Sequence, residues 1–156
     1  MRAGAAGAFV SALCALGPRA LGYSLGMATY SEIRTKEAPA PVGPYSQAIR
    51  AGEFVFVSGQ IPLDPETGEI VTGEIEVEVR QVLANLAAVL AAAQSGLDRV
   101  VKATVYLTDL SLFPRVNAVY AEAFRSEPAP ARVTVGVAAL PLGAQVEIDA
   151  IAVVAS

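Results

Sequence analysis

The chain has 156 residues, of which 54% are hydrophobic, and it carries a formal net charge of −4 with no histidine. This length suits one domain, and the apolar fraction is sufficient for a core and for buried subunit faces. No apolar run reaches the ~18 residues that would indicate a membrane span. Without histidine, Ser-His-Asp and Cys-His catalysis are excluded, so any chemistry must use arginine, carboxylates, hydroxyls, backbone groups and water.

The charges are unevenly distributed along the chain. Arg2 and Arg19 are the only charged residues before Glu32, and from Met27 onward nine basic and fifteen acidic residues give a net charge of −6. Because nonspecific nucleic-acid binding depends on Lys and Arg contacts with phosphate, this acidic body disfavours nucleic acid as a partner. The single cysteine, Cys14, allows neither an internal disulfide nor a thiolate metal site.

Residues 1–26 are predicted to lie outside the folded domain, which occupies residues 27–156. The segment is rich in Ala, Gly, Leu and Ser, contains no acid, and is interrupted by Pro18 and Arg19. It is interpreted as translated sequence upstream of a start at Met27, as an organellar transit peptide, or as a weak secretory signal. The domain is expected in the cytoplasm, or in a mitochondrion or plastid if the segment is a transit peptide.

The first predicted elements are extended. Prolines favour an extended segment over a helix at residues 38–44. Two short strands are predicted at residues 45–50 and 54–58, joined by a hairpin turn at residues 51–53. A second turn is predicted at residues 64–68, where proline and glycine follow an aspartate.

The clearest helix is predicted over residues 74–94, where apolar residues repeat at steps of three and four. Its first turns carry Glu74, Glu76 and Glu78. We interpret these acids as solvent-exposed charges that the helix dipole stabilises, and we expect no metal site. Gly96 is predicted to end the helix.

A strand and a second helix follow. The strand is predicted at residues 100–107, with one apolar side formed by Val101, Ala103, Val105 and Leu107. Ser111 is predicted to cap the second helix, and Pro114 is tolerated in its first turn. The buried stripe of this helix is expected to contain Val116, Val119, Tyr120, Ala123 and Phe124.

Two closing strands, divided by a turn at residues 140–143, carry Arg132 and Glu147. The order of strands, helix, strand, helix and strands predicts an α+β fold in which two helices pack on one face of a mixed sheet. Both sides of several strands are apolar, and Phe54 and Phe56 alternate with valines. Since two helices cover only one face, a partner subunit is expected to cover the other.

Charged residues in apolar strands lower stability unless they are paired, exposed or used. Arg132 is interpreted either as a surface or interface arginine paired with an acid, or as a carboxylate-binding fork. Glu147 is either functional or a polar-face residue, since Asp149 shares its side of the strand. Gly59, which follows Ser58, either ends a strand or allows backbone amides to approach a ligand.

Five motifs occur in a fixed order: Gly-Pro-Tyr-Ser-Gln at 43–47, Val-Ser-Gly-Gln-Ile-Pro at 57–62, Val-Asn at 116–117, Pro-Ala-Arg at 130–132 and Val-Glu-Ile-Asp-Ala-Ile-Ala at 146–152. They resemble the Rid (YjgF-type) family over residues 38–154. The resemblance implies a chorismate-mutase-like fold and a homotrimer with ligand clefts between subunits. Archetypal members are 2-iminobutanoate/2-iminopropanoate deaminases, which hydrolyse enamines and imines released by pyridoxal-phosphate enzymes.

The resemblance also implies roles for individual residues. Arg132 would bind the substrate carboxylate, Glu147 would orient water, and Tyr45 would line the cleft as a third catalytic residue. The remaining substrate-binding positions would be Ser58, Gly59, Asn117 and Thr134. Thr134 stands where many relatives have cysteine, which removes thiol chemistry from the cleft, and we expect activity to survive.

The expected reaction is hydrolysis of a short imine or enamine carboxylate to a 2-keto acid and ammonium, without a cofactor. The expected partners are this small molecule and two further copies of the chain, with no membrane. One alternative is a non-catalytic trimer that binds 2-keto or amino acids. Another is RNA cleavage with inhibition of translation, a chemistry that the acidic body and the missing histidine make difficult to supply.

Overall fold

The computed structural model describes residues 30–155, so the predictions for residues 1–26 lie outside the described residues. Eight helices and strands follow in chain order: β1 (Tyr30–Ile33), β2 (Ala48–Ala51), β3 (Phe54–Gln60), α1 (Ile75–Ala92), β4 (Val100–Leu107), α2 (Phe113–Ala123), β5 (Ala131–Gly136) and β6 (Val146–Val153). Short 3-10 turns at Leu97–Arg99, Leu110–Leu112 and Pro141–Gly143 connect some of them. No helix in this part of the chain is long and apolar enough to cross a membrane.

The six strands form one mixed sheet in the order β1-β2-β3-β6-β4-β5. Strands β4 and β5 are parallel, and all other neighbours are antiparallel. Helix α1 packs on β3 and β6, and α2 packs on α1. The predicted α+β fold, with two helices on one face of a mixed sheet, is therefore confirmed.

The core lies between the helices and one sheet face, which we call the helix face. Alternation along each strand sends every second side chain into this core, as the burial of Val55, Val105 and Ile148 shows. The apolar side of α1 covers them with residues such as Leu86 and Leu90, both fully buried. Each such side chain contributes roughly 1.5–3 kcal/mol relative to exposure, so this layer holds the sheet in place.

The opposite side of the sheet, which we call the open face, is not covered by the described residues. Phe54 and Phe56 are 45% and 46% exposed, and Val133 is 45% exposed. Apolar side chains therefore occupy both sides of the sheet, as the sequence pattern predicts. Large apolar side chains exposed on a sheet face are typical of interaction sites.

Two predicted element ends are wrong. Gly96 does not end α1, because the chain turns earlier at Gln94, which has a φ of 60°. The N–H of Ser95 donates to the carbonyl of Leu90, and that of Gln94 donates to the carbonyl of Ala91, at 2.9 and 3.0 Å. This pair of bonds is a Schellman motif with glutamine in the position where glycine is usual.

The start of α2 also differs from the prediction. Ser111 does not cap it; the Asp109 carboxylate instead accepts a 2.8 Å hydrogen bond from the Ser111 N–H and caps a preceding 3-10 turn. Pro114 does lie in the first turn of α2. In β4, a shift in pairing with β6 next to Val101 leaves that residue 43% exposed, so Val100 enters the core in its place.

Candidate functional site

Glu147 lies at an irregular end of the sheet. The pairing of β3 with β6 shifts register between Val57 and Gln60, and Gly59 lies at that shift. A Cβ atom added to Gly59 would overlap the Oε1 atom of Glu147. The carboxylate therefore lies against the backbone of Gly59, in space that any other residue would fill.

Four of the predicted site residues come together here. A pocket of about 360 Å³, which we call the Glu147 pocket, is lined by Val42, Tyr45, Ser58, Gly59, Ile61, Pro141 and Glu147. The Tyr45 hydroxyl accepts a hydrogen bond from the Val42 N–H at 3.3 Å. The Ser58 hydroxyl donates to the Ser46 carbonyl at 2.7 Å. These bonds hold the wall of the pocket in one conformation.

The electrostatic environment of Glu147 favours its neutral form. Burial raises the pKa of this carboxyl above its ordinary value, and the charge of Asp149 raises it further. Within residues 30–155 Glu147 forms no ion pair. The pKa of this carboxyl is thus shifted in the direction of neutral pH, a direction that suits proton exchange with water.

Asp149 and Tyr106 extend this environment, and motif reasoning did not identify either as a site residue. The Tyr106 hydroxyl donates to Asp149 Oδ2 at 2.8 Å, and this bond is the main reason that the pKa of Tyr106 is raised. Tyr106 also pairs with Glu147 in the β4–β6 register. Period-two alternation could have placed Asp149 beside Glu147, but the Tyr106 contact depends on strand order.

Arg132 is held by the second helix. Its Nη2 atom donates to Asn117 Oδ1 at 2.8 Å, and its Cζ atom lies 4.5 Å from the ring centroid of Tyr120 and 5.6 Å from that of Phe113. The three partners are spaced four and three residues apart and so share one side of α2. We call Arg132 with Phe113, Asn117 and Tyr120 the Arg132 clamp.

The Arg132 clamp lacks a counter-ion among the described residues. No carboxylate oxygen in residues 30–155 forms an ion pair with Arg132. Pairing of Arg132 with an acid of the same chain is therefore not observed among these residues, and pairing with an acid across a subunit interface stays a prediction. A planar guanidinium has the geometry to form two parallel hydrogen bonds with a carboxylate.

The two groups of residues lie on opposite faces of the sheet. Arg132 pairs with the buried Ala103 of β4 and therefore faces the helices. Glu147 alternates with the buried Val146 and Ile148 of β6 and therefore lies on the open face. One chain thus does not bring all of the predicted site residues together.

Thr134 belongs to the side that carries Arg132. It pairs with Val105 of β4, is half-buried, and follows Arg132 by two residues on β5. A threonine here adds one hydroxyl to the helix face near the Arg132 clamp. It lies on the opposite side of the sheet from the Glu147 pocket.

Glu78 corrects the interpretation of the acidic residues at the start of α1. It is only 3% exposed, and its carboxylate accepts hydrogen bonds from the backbone N–H of Gln145 at 3.2 Å and from Nε2 of Gln145 at 2.7 Å. Glu74 and Glu76 instead pair with Arg115 on α2. Glu78 therefore fixes the segment that leads directly into β6 and Glu147.

Residues 35–154 match the family described as Endoribonuclease L-PSP. A RutC family protein of Pyrococcus horikoshii is 56% identical over 120 residues, which are 77% of this chain and 94% of that protein. The chain therefore belongs to this family, which includes the Rid (YjgF-type) proteins that its motifs resemble.

Solved structures of this family share the fold described above. RidA from an Antarctic Psychrobacter is 47% identical, with a TM-score of 0.76 over 80% of this chain and 99% of that one. TdcF of E. coli, solved with bound serine, is 41% identical, with a TM-score of 0.75 over 80% of this chain and 99% of that one.

Proposed function

We propose that this protein is a 2-iminobutanoate/2-iminopropanoate deaminase, a hydrolase that acts without a cofactor on imines and enamines released by pyridoxal-phosphate enzymes. The observation that carries the proposal is the complementarity of two incomplete sites. Among the described residues, the Arg132 clamp is a cation without a paired anion, and the Glu147 pocket holds an acid without a paired cation. A short imine carboxylate supplies an anion for the first and a reacting carbon for the second.

We further propose that the two sites meet between subunits of a closed homotrimer. In one chain they lie on opposite faces of the sheet, so a single copy is an incomplete site. The exposed Phe54, Phe56 and Val133 on the open face give neighbouring copies an apolar surface to bury. In a cyclic trimer each cleft would take its Arg132 clamp from one copy and its Glu147 pocket from the next.

Arg132 would bind and orient the substrate. Asn117 accepts a hydrogen bond from Nη2, and the remaining guanidinium N–H groups are available to a carboxylate. Two parallel hydrogen bonds fix both the position and the plane of the carboxylate. Since the reacting C2 carbon is bonded directly to that carboxylate, this binding also sets the face that water attacks.

Glu147 would act on the water. As water adds to C2 of the imine, the carboxylate takes one of its protons, and the C2–O bond forms while the C=N double bond becomes single. Glu147 returns that proton to the nitrogen, which gives a neutral carbinolamine. The hydroxyl proton of the carbinolamine then passes to the nitrogen, the C2–N bond breaks as the C2=O bond forms, and ammonia leaves to give the 2-keto acid. A carboxyl whose pKa is raised by burial and by Asp149 is better matched to these transfers near neutral pH.

The family relationship supports the substrate class. TdcF was solved with serine, a small molecule whose carboxylate lies next to the carbon that bears nitrogen. The proposed imine substrates have the same arrangement of carboxylate, C2 and nitrogen. The fold of RidA from Psychrobacter is shared over nearly the whole length of that protein, which supports a cleft of the same kind in this chain.

The direct test couples a serine or threonine dehydratase to the protein and follows formation of the 2-keto acid. Addition of the protein is expected to accelerate release above the spontaneous rate, and the chain made as residues 27–156 is expected to be equally active. Binding of 2-keto acids without any acceleration would instead favour a non-catalytic sensing trimer.

A mixing experiment tests the shared cleft. Arg132→Ala and Glu147→Gln chains are each expected to lose most of their activity, and refolding them together creates hybrid trimers with an intact clamp facing an intact pocket. Random assembly of equal amounts should restore about a quarter of the clefts in a cyclic trimer. No recovery in mixed trimers would show that the proposed pairing of subunits is wrong.

RNA cleavage is the second candidate, because the description of the family names an endoribonuclease. The net charge of −6 from Met27 onward opposes phosphate binding, and the chain contains no histidine for proton transfer. We expect no cleavage of single-stranded RNA by the purified protein. Cleavage that persists in Glu147→Gln and Arg132→Ala would indicate a different site.

A further inference from the structure

We propose that Tyr120 is a positioning residue for carboxylate binding, because its ring fixes the plane of the Arg132 guanidinium. The inference rests on the proposed function only to the extent that Arg132 binds a carboxylate. Tyr120 lies on α2, outside the five motifs. Its proposed role is to keep the edge of the guanidinium directed at that ligand.

The first support is the position of the guanidinium over one of two stacked aromatic rings. The Arg132 Cζ atom lies 4.5 Å from the Tyr120 centroid, and the Tyr120 and Phe124 centroids are 4.1 Å apart with an interplanar angle of 23°. Phe124 thus supports one side of the Tyr120 ring while the guanidinium lies against the ring. A cation close to an aromatic face is attracted by the ring quadrupole.

The second support is that the other contacts of Arg132 restrain its orientation less than Tyr120 does. Asn117 holds one nitrogen, Nη2, at 2.8 Å. A single hydrogen bond leaves the guanidinium free to rotate about that nitrogen, whereas a ring lying against the group restricts its plane. Phe113, at 5.6 Å, is a more distant second ring. Tyr120 is therefore the main restraint on the orientation of the fork.

The hydroxyl of Tyr120 and its ring can be tested separately. This residue is 6% exposed, and its hydroxyl has no hydrogen-bond partner among the residues that the structure describes. A buried hydroxyl without a partner lowers stability. Tyr120→Phe removes that hydroxyl and keeps the ring, so it is a matched variant for a role that depends on the ring alone.

The physical consequence concerns the population of binding-competent arginine. A free arginine side chain samples many rotamers, and only some present two N–H groups to the cleft. The observed affinity falls in proportion to the competent fraction. Removing the Tyr120 ring is therefore expected to weaken carboxylate binding without removing the charge.

The experiment measures the dissociation constant of 2-ketobutanoate for the full chain by calorimetry, which does not require turnover. Tyr120→Leu is expected to bind roughly three- to tenfold more weakly, which lies within the range that cation–π contacts span, while Tyr120→Phe should bind within about twofold of wild type. In the deaminase assay Tyr120→Leu should show the same loss mainly as a higher KM.

A double-mutant cycle separates positioning from general damage to the fold. The compact ammonium of Arg132→Lys has no plane for the ring to orient, so Tyr120→Leu should change affinity little in that background. Val119→Ala provides a control for truncation of a buried side chain on the same helix, and it should lower the melting temperature without changing affinity.

Several outcomes would overturn the inference. These are wild-type affinity in Tyr120→Leu, equal losses in the Arg132 and Lys backgrounds, and a Tyr120→Phe variant as weak as Tyr120→Leu. Failure of the wild-type chain to bind 2-ketobutanoate would overturn it as well. If the chain binds this ligand but does not accelerate imine hydrolysis, the deaminase proposal fails and the inference on Tyr120 stands.

Discussion

The Arg132 clamp and the Glu147 pocket reach defined geometry by opposite means. Arg132 is oriented by side chains, because Asn117 and two aromatic rings of α2 surround it. Glu147 is oriented by the lack of a side chain, because its carboxylate occupies the space beside Gly59. The orientation of Arg132 thus depends on side chains of α2, and that of Glu147 depends on the absence of a side chain at Gly59.

This difference predicts different sensitivities. The Arg132 clamp should lose function when side chains are truncated, since each contact limits the freedom of a long and flexible residue. The Glu147 pocket should lose function when atoms are added, since a close-packed site has no space to accept them. Substitutions of each kind therefore test whether the two regions are organised as described.

The largest effect is expected from Arg132→Ala, which removes the charge and both hydrogen bonds to the carboxylate. A charged hydrogen bond contributes roughly 1.5–3 kcal/mol, so kcat/KM should fall roughly ten- to hundredfold. Arg132→Lys keeps the charge but loses the planar fork and should recover only part of the loss.

The kinetics of both arginine variants are measured in the coupled dehydratase assay, and light scattering checks that each variant keeps the mass of the wild-type assembly. Turnover by Arg132→Ala at the wild-type rate would refute the deaminase proposal. A change in mass would instead place Arg132 in assembly.

Gly59→Ala adds a single methyl group to the other region. Gly59 does not have a positive φ, so alanine is compatible with the backbone, and the overlap with Glu147 is the main consequence. Displacing a reacting group by about 1 Å can cost up to about a hundredfold, and we expect kcat/KM to fall at least about tenfold.

Two further variants isolate the cause of that loss. In a Glu147→Gln background Gly59→Ala should add little, because the group that it displaces is already inactive. Gly96→Ala is the glycine control, since its added atom meets only the exposed side chain of Asp98. Independent, additive losses would show that Gly59 acts through something other than Glu147.

Asp149→Asn tests the electrostatics of the Glu147 pocket. In the proposed mechanism Glu147 must be deprotonated to activate water, so kcat/KM should decrease as pH falls through the pKa of Glu147. Burial and the charge of Asp149 both raise that pKa. Removing the charge lowers it, and the acid limb of the pH profile should move to lower pH.

The asparagine in this variant keeps an oxygen that can accept the Tyr106 hydroxyl, so the local hydrogen bond is retained. Profiles of kcat/KM against pH for wild type and Asp149→Asn provide the comparison. A limb that stays in place, or moves to higher pH, would show that Asp149 does not set the pKa of the group seen in the kinetics.

Much of the fold follows from local sequence patterns. The three- and four-residue repeat located α1, and alternation located β4 and the strands that carry Arg132 and Glu147. The short edge strand β1 was not predicted, because Tyr30–Ile33 is mostly exposed and has no apolar alternation. It is defined by pairing with β2, which is a tertiary contact rather than a local preference.

The site residues were predicted by motif, but their division between two faces was not. That division depends on the position of β6 between β3 and β4, and on the parallel pairing of β4 with β5. Local sequence does not specify either feature. For the same reason Tyr120 was predicted only as a core residue, because its contact with Arg132 joins a helix to a strand through tertiary packing.

The smallest effect is expected from Thr134→Cys, which tests how far the Arg132 clamp extends along β5. Thr134 lies on the same face as Arg132 and is half-buried beside Val105, but the guanidinium is held by α2 rather than by its own strand. This substitution replaces the hydroxyl by a thiol and removes one methyl group, but it changes neither the charge of the clamp nor its aromatic contacts. We therefore expect the free energy of transition-state binding to change by less than about 0.5 kcal/mol, so kcat/KM should stay within about twofold of wild type. A loss comparable to that of Arg132→Ala would mean that β5 itself contributes a reacting or binding group. The Arg132 clamp would then include residues of β5 as well as those of α2.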